Sequence, residues 1–166
     1  SLMGHGGNAM KEAGMQILEH TDNLAIMGFV EVIKHLPRMM KIMGKTIDSI
    51  SRTKPDRIIL IDYPGFNLRL AKRIQHLKIP ITYFILPQVW AWKEKRVETM
   101  KAVLDQTLSI FPFEQDWFES RGLQTNYVGH PFAEQEHLDE SSKDFYQRHE
   151  ITIEHPLLVL LPGSRQ

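Results

Sequence analysis

Short strand-like runs, each followed by a helical stretch, restrict this chain more than any other feature. Residues 57–61 (RIILI), 79–85 (IPITYFI) and 106–111 (QTLSIF) read as strands, with a further one at 125–128. The run 57–61 lacks the apolar–polar alternation of a half-buried strand, which predicts a parallel strand covered on both faces. Helical stretches at 67–77, 93–103 and 114–120 fall between the strands, with Gly122 ending the last. Alternating strands and helices imply right-handed crossovers, and hence an α/β fold with a Rossmann-like parallel sheet flanked by helices.

The chain has 166 residues, enough for one well-buried domain and too few for two complete ones. Acids and bases balance at 20 each, which argues against a nucleic-acid partner. Cysteine is absent, excluding disulfides and thiolate metal sites. No apolar stretch approaches the roughly 20 residues of a membrane-spanning helix. The opening, residues 4–7, reads as a Gly-rich loop with no strand before it, leading into a helix at 8–13. A long amphipathic segment, 25–53, spaces Phe29, Val32, Ile33, Leu36, Met40, Met43, Ile47 and Ile50 by threes and fours. Pro37 kinks it or starts a second helix there. Lys34, Arg38, Lys41 and Lys45 lie roughly opposite the apolar stripe, so geometry alone places that stripe in the core. Residues 1–134 form the expected Rossmann-like domain and 135–150 a linker region containing a helix at 142–149. Residues 151–166 begin another domain, with a buried strand at 157–161.

Candidate functional residues cluster after the strands, where open α/β sheets bind ligands. Asp62, in IDYPGFN (61–67), follows one strand and precedes a turn; Asn67 closes the run. A carboxylate there can take a proton from a sugar hydroxyl, and partial burial would bring its pKa closer to working pH. It can equally cap the turn or the next helix, and spacing leaves both readings open. Gln88, Trp90 and Trp92 lie in LPQVWAW (86–92), ahead of the basic residues Lys93, Lys95 and Arg96. An indole suits stacking on a sugar, and alternation along the run predicts one ring facing in and one out. Glu114 opens a helix, where acids are favoured anyway. His130 follows the last strand and can bind phosphate or serve as a turn residue. In LPGSR (161–165), Gly163 allows close backbone approach, Ser164 adds a hydroxyl, and Arg165 offers a fork for phosphate.

Together these segments resemble the lipid-A-disaccharide synthase family. The match runs through LAIMGFVEVI (24–33), KPDRIILIDYPGFN (54–67), PQVWAWKEKRV (87–97), FPFE (111–114), VGHP (128–131) and LLPGSR (160–165). The resemblance implies one half of a two-domain GT-B glycosyltransferase, lacking its first strand and most of its nucleotide-binding half, and so inactive alone. The implied reaction is an inverting transfer from UDP-2,3-diacylglucosamine to the 6-hydroxyl of 2,3-diacylglucosamine 1-phosphate. It releases UDP and uses no metal or cofactor. The resemblance makes Asp62 the catalytic base and Arg165 the residue offsetting charge on the donor diphosphate. It makes Asn67, Gln88, Trp90, Trp92, Glu114, His130, Gly163 and Ser164 substrate-binding candidates. It also implies a cytoplasmic protein peripheral to the inner membrane, touching lipid through Phe29, Val32, Ile33, Leu36, Met40 and Met43. The loop Gly-Gly-Pro-basic-Met of the family is Gly6-Gly7-Asn8-Ala9-Met10 here, so no contact is carried onto Asn8 or Ala9. Two alternatives stand beside this reading. One is another transferase or epimerase of the same fold with a soluble sugar; the other is a lipid- or nucleotide-binding module without chemistry.

Overall fold

The computed structural model describes residues 1–24, 36–133, 142–152, 158 and 160–161. The expected helical stretch 25–35, with Phe29, Val32 and Ile33, lies outside the described residues. So do 134–141, Leu157 and Val159 of the expected strand 157–161, and the loop carrying Gly163, Ser164 and Arg165. The chain divides into two compact units, residues 1–130 and 131–166. The second unit contributes one described helix, Ser142–Arg148.

The first unit carries a four-stranded parallel sheet. Strands β3 (Ile58–Ile61), β4 (Ile81–Phe84), β5 (Gln106–Ser109) and β6 (Asn126–Tyr127) stand side by side in chain order. Ile58 pairs with Ile81, and Thr82 with Gln106. Helices α3 (Pro64–Ile74), α4 (Arg96–Val103) and α5 (Pro112–Glu119) form the crossovers, as the alternation predicts. Both α3 and α5 begin with proline, whose missing N–H costs nothing at the first helical position. Helix α5 stops as its sequence foretells: Gly122 takes a φ of 75°, and the Gly122 and Leu123 amides donate back to the Glu119 and Phe118 carbonyls. Tyr83, Phe118, Met100, Ile74 and Ala71 are buried at the centre of the core.

Two sequence expectations are corrected. The opening is a strand rather than a loop: β1 (Met3–Gly6) pairs in parallel with β2 (Gln16–His20) across helix α1 (Asn8–Glu12). Glycine hides this strand because it has poor β propensity, yet packing demands it. A Cβ at Gly6 would come within 2.8 Å of the Met10 sulfur, and one at Gly4 within 2.9 Å of the Met15 methyl. Helix α2 is described from Leu36 to Thr53, with Pro37 as its second described residue, which one of the two readings of that proline allows. Its stripe of Ile42, Met43, Thr46, Ser49 and Ile50 is buried, while Lys41 and Lys45 stay exposed, as the charge pattern predicts. Last, β3 is not covered on both faces. Ile59 is 56 % and Ile61 43 % exposed. An apolar run announces burial without saying what supplies the cover, and among the described residues nothing encloses that face.

Candidate active site

The carboxyl ends of β3, β4 and β5 lie along one edge of the sheet. At the β3 end, Asp62 and Tyr63 both adopt left-handed backbone at φ 46°, and Ile85, just past β4, does so at 60°. Each such residue costs about 1–2 kcal/mol, most awkwardly for β-branched Ile85. Backbone strain of this kind persists only where neighbours over-determine it. Those neighbours are present. The Asp62 amide donates to the Phe84 carbonyl at 3.0 Å. The Asp62 carbonyl accepts from the Tyr83 hydroxyl at 2.6 Å and from Asn67 Nδ2 at 2.7 Å. Asn67 Nδ2 also reaches the Ile61 carbonyl at 3.1 Å, and the Tyr63 ring stacks on Phe66. Burial, followed by the charge of Asp62, pushes the Tyr83 hydroxyl far up, so it remains a donor; Asn67 and Arg96 act in the opposite direction, less strongly.

While its backbone is tied down, the Asp62 carboxylate is exposed rather than partly buried. It makes no cap: helix α3 has no side-chain cap bond, and among the described residues nothing hydrogen-bonds to this carboxylate. Of the two readings that spacing left open, the capping one is not realised. Asn67 serves here as a brace for the strand end, with its amide turned to the backbone.

The ends of β4 and β5 are aromatic. Trp90 packs edge-on against Phe113 with ring centroids 5.2 Å apart. Phe113 stacks on Phe111 at 5.9 Å, and Phe111 meets the half-buried His130 at 6.0 Å. Beneath them Glu114 is only 1 % exposed, and its Oε1 accepts the Trp90 indole N–H at 3.1 Å. Burial raises the Glu114 pKa; the Trp90 bond and the Phe111 and Ile110 amides pull it back less strongly. Glu114 thus presents almost no surface of its own and lies beneath Trp90. The expectation of one tryptophan inside and one outside is corrected: Trp90 is 38 % and Trp92 60 % exposed. Residues two apart share a face even in an extended strand, and this segment is turns, with the Val89 amide on the Pro87 carbonyl and the Ala91 amide on that of Gln88. Val89 takes the buried position, and Gln88 is exposed.

The strand ends therefore gather Asp62 with Asn67, and Trp90 with Glu114 and His130. Trp92 keeps different company, with Lys93 Nζ 4.2 Å and the Arg96 guanidinium 5.6 Å from its ring. Sequence reasoning overlooked Tyr83 and Phe113 as site supports. Tyr83 sits inside an ordinary strand, and only the β3–β4 register brings its hydroxyl to Asp62. A separate cavity of about 300 Å³ lies between the β1–β2 pair and α2, lined by His5, Glu19, Thr46, Asp48, Ser49 and Arg52 among others. Its mixed charges favour neither anion nor cation. Thr46 Oγ1 donates to the Ile42 carbonyl and so accepts from His5 Nε2 at 3.0 Å. Burial lowers the His5 pKa despite the opposing charge of Glu19.

Comparison with known proteins gives this arrangement a context. A lipid-A-disaccharide synthase of Myxococcus xanthus (strain DK1622) is 37% identical over 165 residues, 99% of this chain and 43% of its own length. One from Gluconobacter oxydans (strain 621H) is 38% identical over 163 residues, 98% of this chain and 39% of its own. One from Nitrosococcus oceani (strain ATCC 19707) is 40% identical over 168 residues, 98% of this chain and 42% of its own. The chain therefore spans about two-fifths of the length of these relatives. The sequence model of the family described as lipid-A-disaccharide synthetase matches residues 1–166, so the chain belongs to that family.

Proposed function

We propose that the chain supplies the acceptor side of an inverting GT-B glycosyltransferase. The reaction joins UDP-2,3-diacylglucosamine to 2,3-diacylglucosamine 1-phosphate, giving the lipid A disaccharide and UDP. The observation that carries this reading is Asp62: an exposed carboxylate with no hydrogen-bond partner among the described residues, on a backbone held from both neighbouring elements. An acid held in that way is preorganised for proton transfer. Asp62 takes the proton of the acceptor's 6-hydroxyl as that oxygen forms its bond to the donor's anomeric carbon. The bond from that carbon to the diphosphate breaks, and UDP leaves with its electron pair. Attack opposite the leaving group inverts the configuration and gives a β linkage. Gly163, Ser164 and Arg165 are assigned to the donor diphosphate by family resemblance. Trp90, with Gln88 and His130 nearby in sequence and fold, offers an apolar surface for the acceptor.

The acylated substrates favour work at the cytoplasmic face of the inner membrane. No helix among the described residues is long and apolar enough to cross a membrane. Helix α2 exposes Leu36 and Met40 but buries Met43 in the core, so Leu36 and Met40 are its lipid-facing residues. Replacing both with serine should release the protein from anionic vesicles in a sedimentation assay; undiminished binding would remove the membrane part of the proposal.

UDP release by the full-length protein, with and without acceptor, tests the chemistry. The wild type should release UDP only with both substrates. Asp62→Asn should lose about 10²–10⁴-fold in kcat with donor binding intact. No acceptor-dependent release from a folded, UDP-binding wild type would favour a binding module instead, and an unimpaired Asp62→Asn would remove Asp62 as the base.

A further inference from the structure

The segment WKEKR, residues 92–96, assembles cations that no carboxylate among the described residues neutralises. Lys93 Nζ lies 4.2 Å from the centre of the Trp92 ring and the Arg96 guanidinium 5.6 Å from it. Lys95 is exposed between them in sequence. The one acid in the run, Glu94, is held by Arg121 Nε at 2.6 Å. The acid in the first turn of α4, Glu98, is paired with Lys101 at 3.1 Å. Among the described residues no carboxylate pairs with Lys93, Lys95 or Arg96.

This is a poor arrangement for stability. Two of the three cations open helix α4, at the end where the macrodipole is already positive and basic residues are disfavoured. Like charges around one ring also repel. The indole orders Lys93 and Arg96 by cation–π attraction without neutralising them, so their charge stays available to an anion. Arg96 is also close enough to influence the Tyr83 hydroxyl, which in turn holds the Asp62 carbonyl. Arg96 thus lies within electrostatic reach of the strand end that presents the exposed carboxylate.

We propose that Lys93 and Arg96, ordered on Trp92, form the subsite for the phosphate of a phosphosugar acceptor. This rests on the transferase reading, because the acceptor so defined is a sugar phosphate whose hydroxyl must reach Asp62. A phosphate monoester carries close to two negative charges and accepts from guanidinium and ammonium together. It relieves the repulsion between them and fixes one end of the acceptor.

The test compares 2,3-diacylglucosamine 1-phosphate with its phosphate-free counterpart, each presented to the full-length protein in neutral detergent micelles. The wild type should favour the phosphorylated acceptor. Lys93→Gln with Arg96→Gln should raise the KM for it by about tenfold or more, leave the donor KM in place, and collapse the preference between acceptors. The charge-conserving Lys93→Arg should keep the preference, which separates lost charge from lost folding. An unchanged acceptor KM, or a preference that survives in the double variant, would overturn the subsite while leaving the transferase reading standing. A defect seen only on anionic vesicles and absent in neutral micelles would assign the cations to bilayer phosphates and overturn it too. Failure of the wild type to use either acceptor would sink both readings together.

Discussion

The carboxyl end of β3 and those of β4 and β5 share one edge of the sheet but are built differently. At β3 the backbone is held: Asp62 is tied through its amide and carbonyl to Phe84, Tyr83 and Asn67, and among the described residues its side chain is left unbonded. At β4 and β5 the side chains are held instead, with Trp90, Phe113, Phe111 and His130 in edge and stacked contact over the buried Glu114. The first design points an acid at a fixed place and spends its hydrogen bonds on left-handed strain. The second makes a surface that tolerates varied contact, because aromatic packing has broad geometric preferences. A group that moves a proton needs the first kind of support, and a group that lies against a ring or chain needs only the second.

Breaking the backbone support should have the largest effect on stability. Tyr83→Phe combined with Asn67→Ala removes both donors to the Asp62 carbonyl and leaves the left-handed strain opposed only by the Asp62–Phe84 backbone bond and the Tyr63–Phe66 stack. A loss of about 2–3 kcal/mol is expected in denaturant unfolding, with kcat falling more than acceptor KM rises. Equal loss in both parameters would mean the strand end does not position Asp62 specifically.

Disturbing the aromatic surface should cost less and register in binding. Glu114→Ala frees the Trp90 indole and should raise acceptor KM several-fold, whereas Glu114→Gln keeps an acceptor for that N–H and should behave much like the wild type at low pH. The pH dependence then sharpens the contrast. Because Glu114 has its folded pKa raised above the usual 4.5, the folded state binds more protons. Its contribution to stability is full below that usual value and is lost as pH rises through the folded pKa. Glu114→Gln should flatten this fall. His5 slopes the other way: its lowered folded pKa gives stability that is lost as pH drops below the usual 6.5. The difference between wild type and Glu114→Gln cancels that contribution, and a difference that did not vary with pH would show that burial does not shift the Glu114 carboxyl on folding.

Much of this was readable before any fold was seen. The run RIILI, the proline-led helices after β3 and β5 and the Gly122 stop all encode local preferences, and each element formed close to where its own residues place it. Asp62 was visible because an acid closing an apolar strand is uncommon outside caps and sites. What escaped was non-local. Strand β1 is written in glycines that only make sense once Met10, Met15 and Ile17 press against them. The two tryptophans were expected to split between inside and outside, but residues two apart share a face in an extended run, and the turns here bury Val89 and leave both rings exposed.

By itself, then, the amino-acid order determined the succession of strands and helices from β3 to β6, the parallel sense of the main sheet and the membership of a known family. These depend on periodicity, turn chemistry and short motifs, which act within a few residues of chain. Only the tertiary structure decided that Ile59 and Ile61 stay exposed, that Tyr83 and Asn67 lock Asp62, and that Glu114 reaches the surface through Trp90. Those outcomes depend on residues 5 to 24 positions apart meeting across strands and loops, and no local pattern specifies which of them meet.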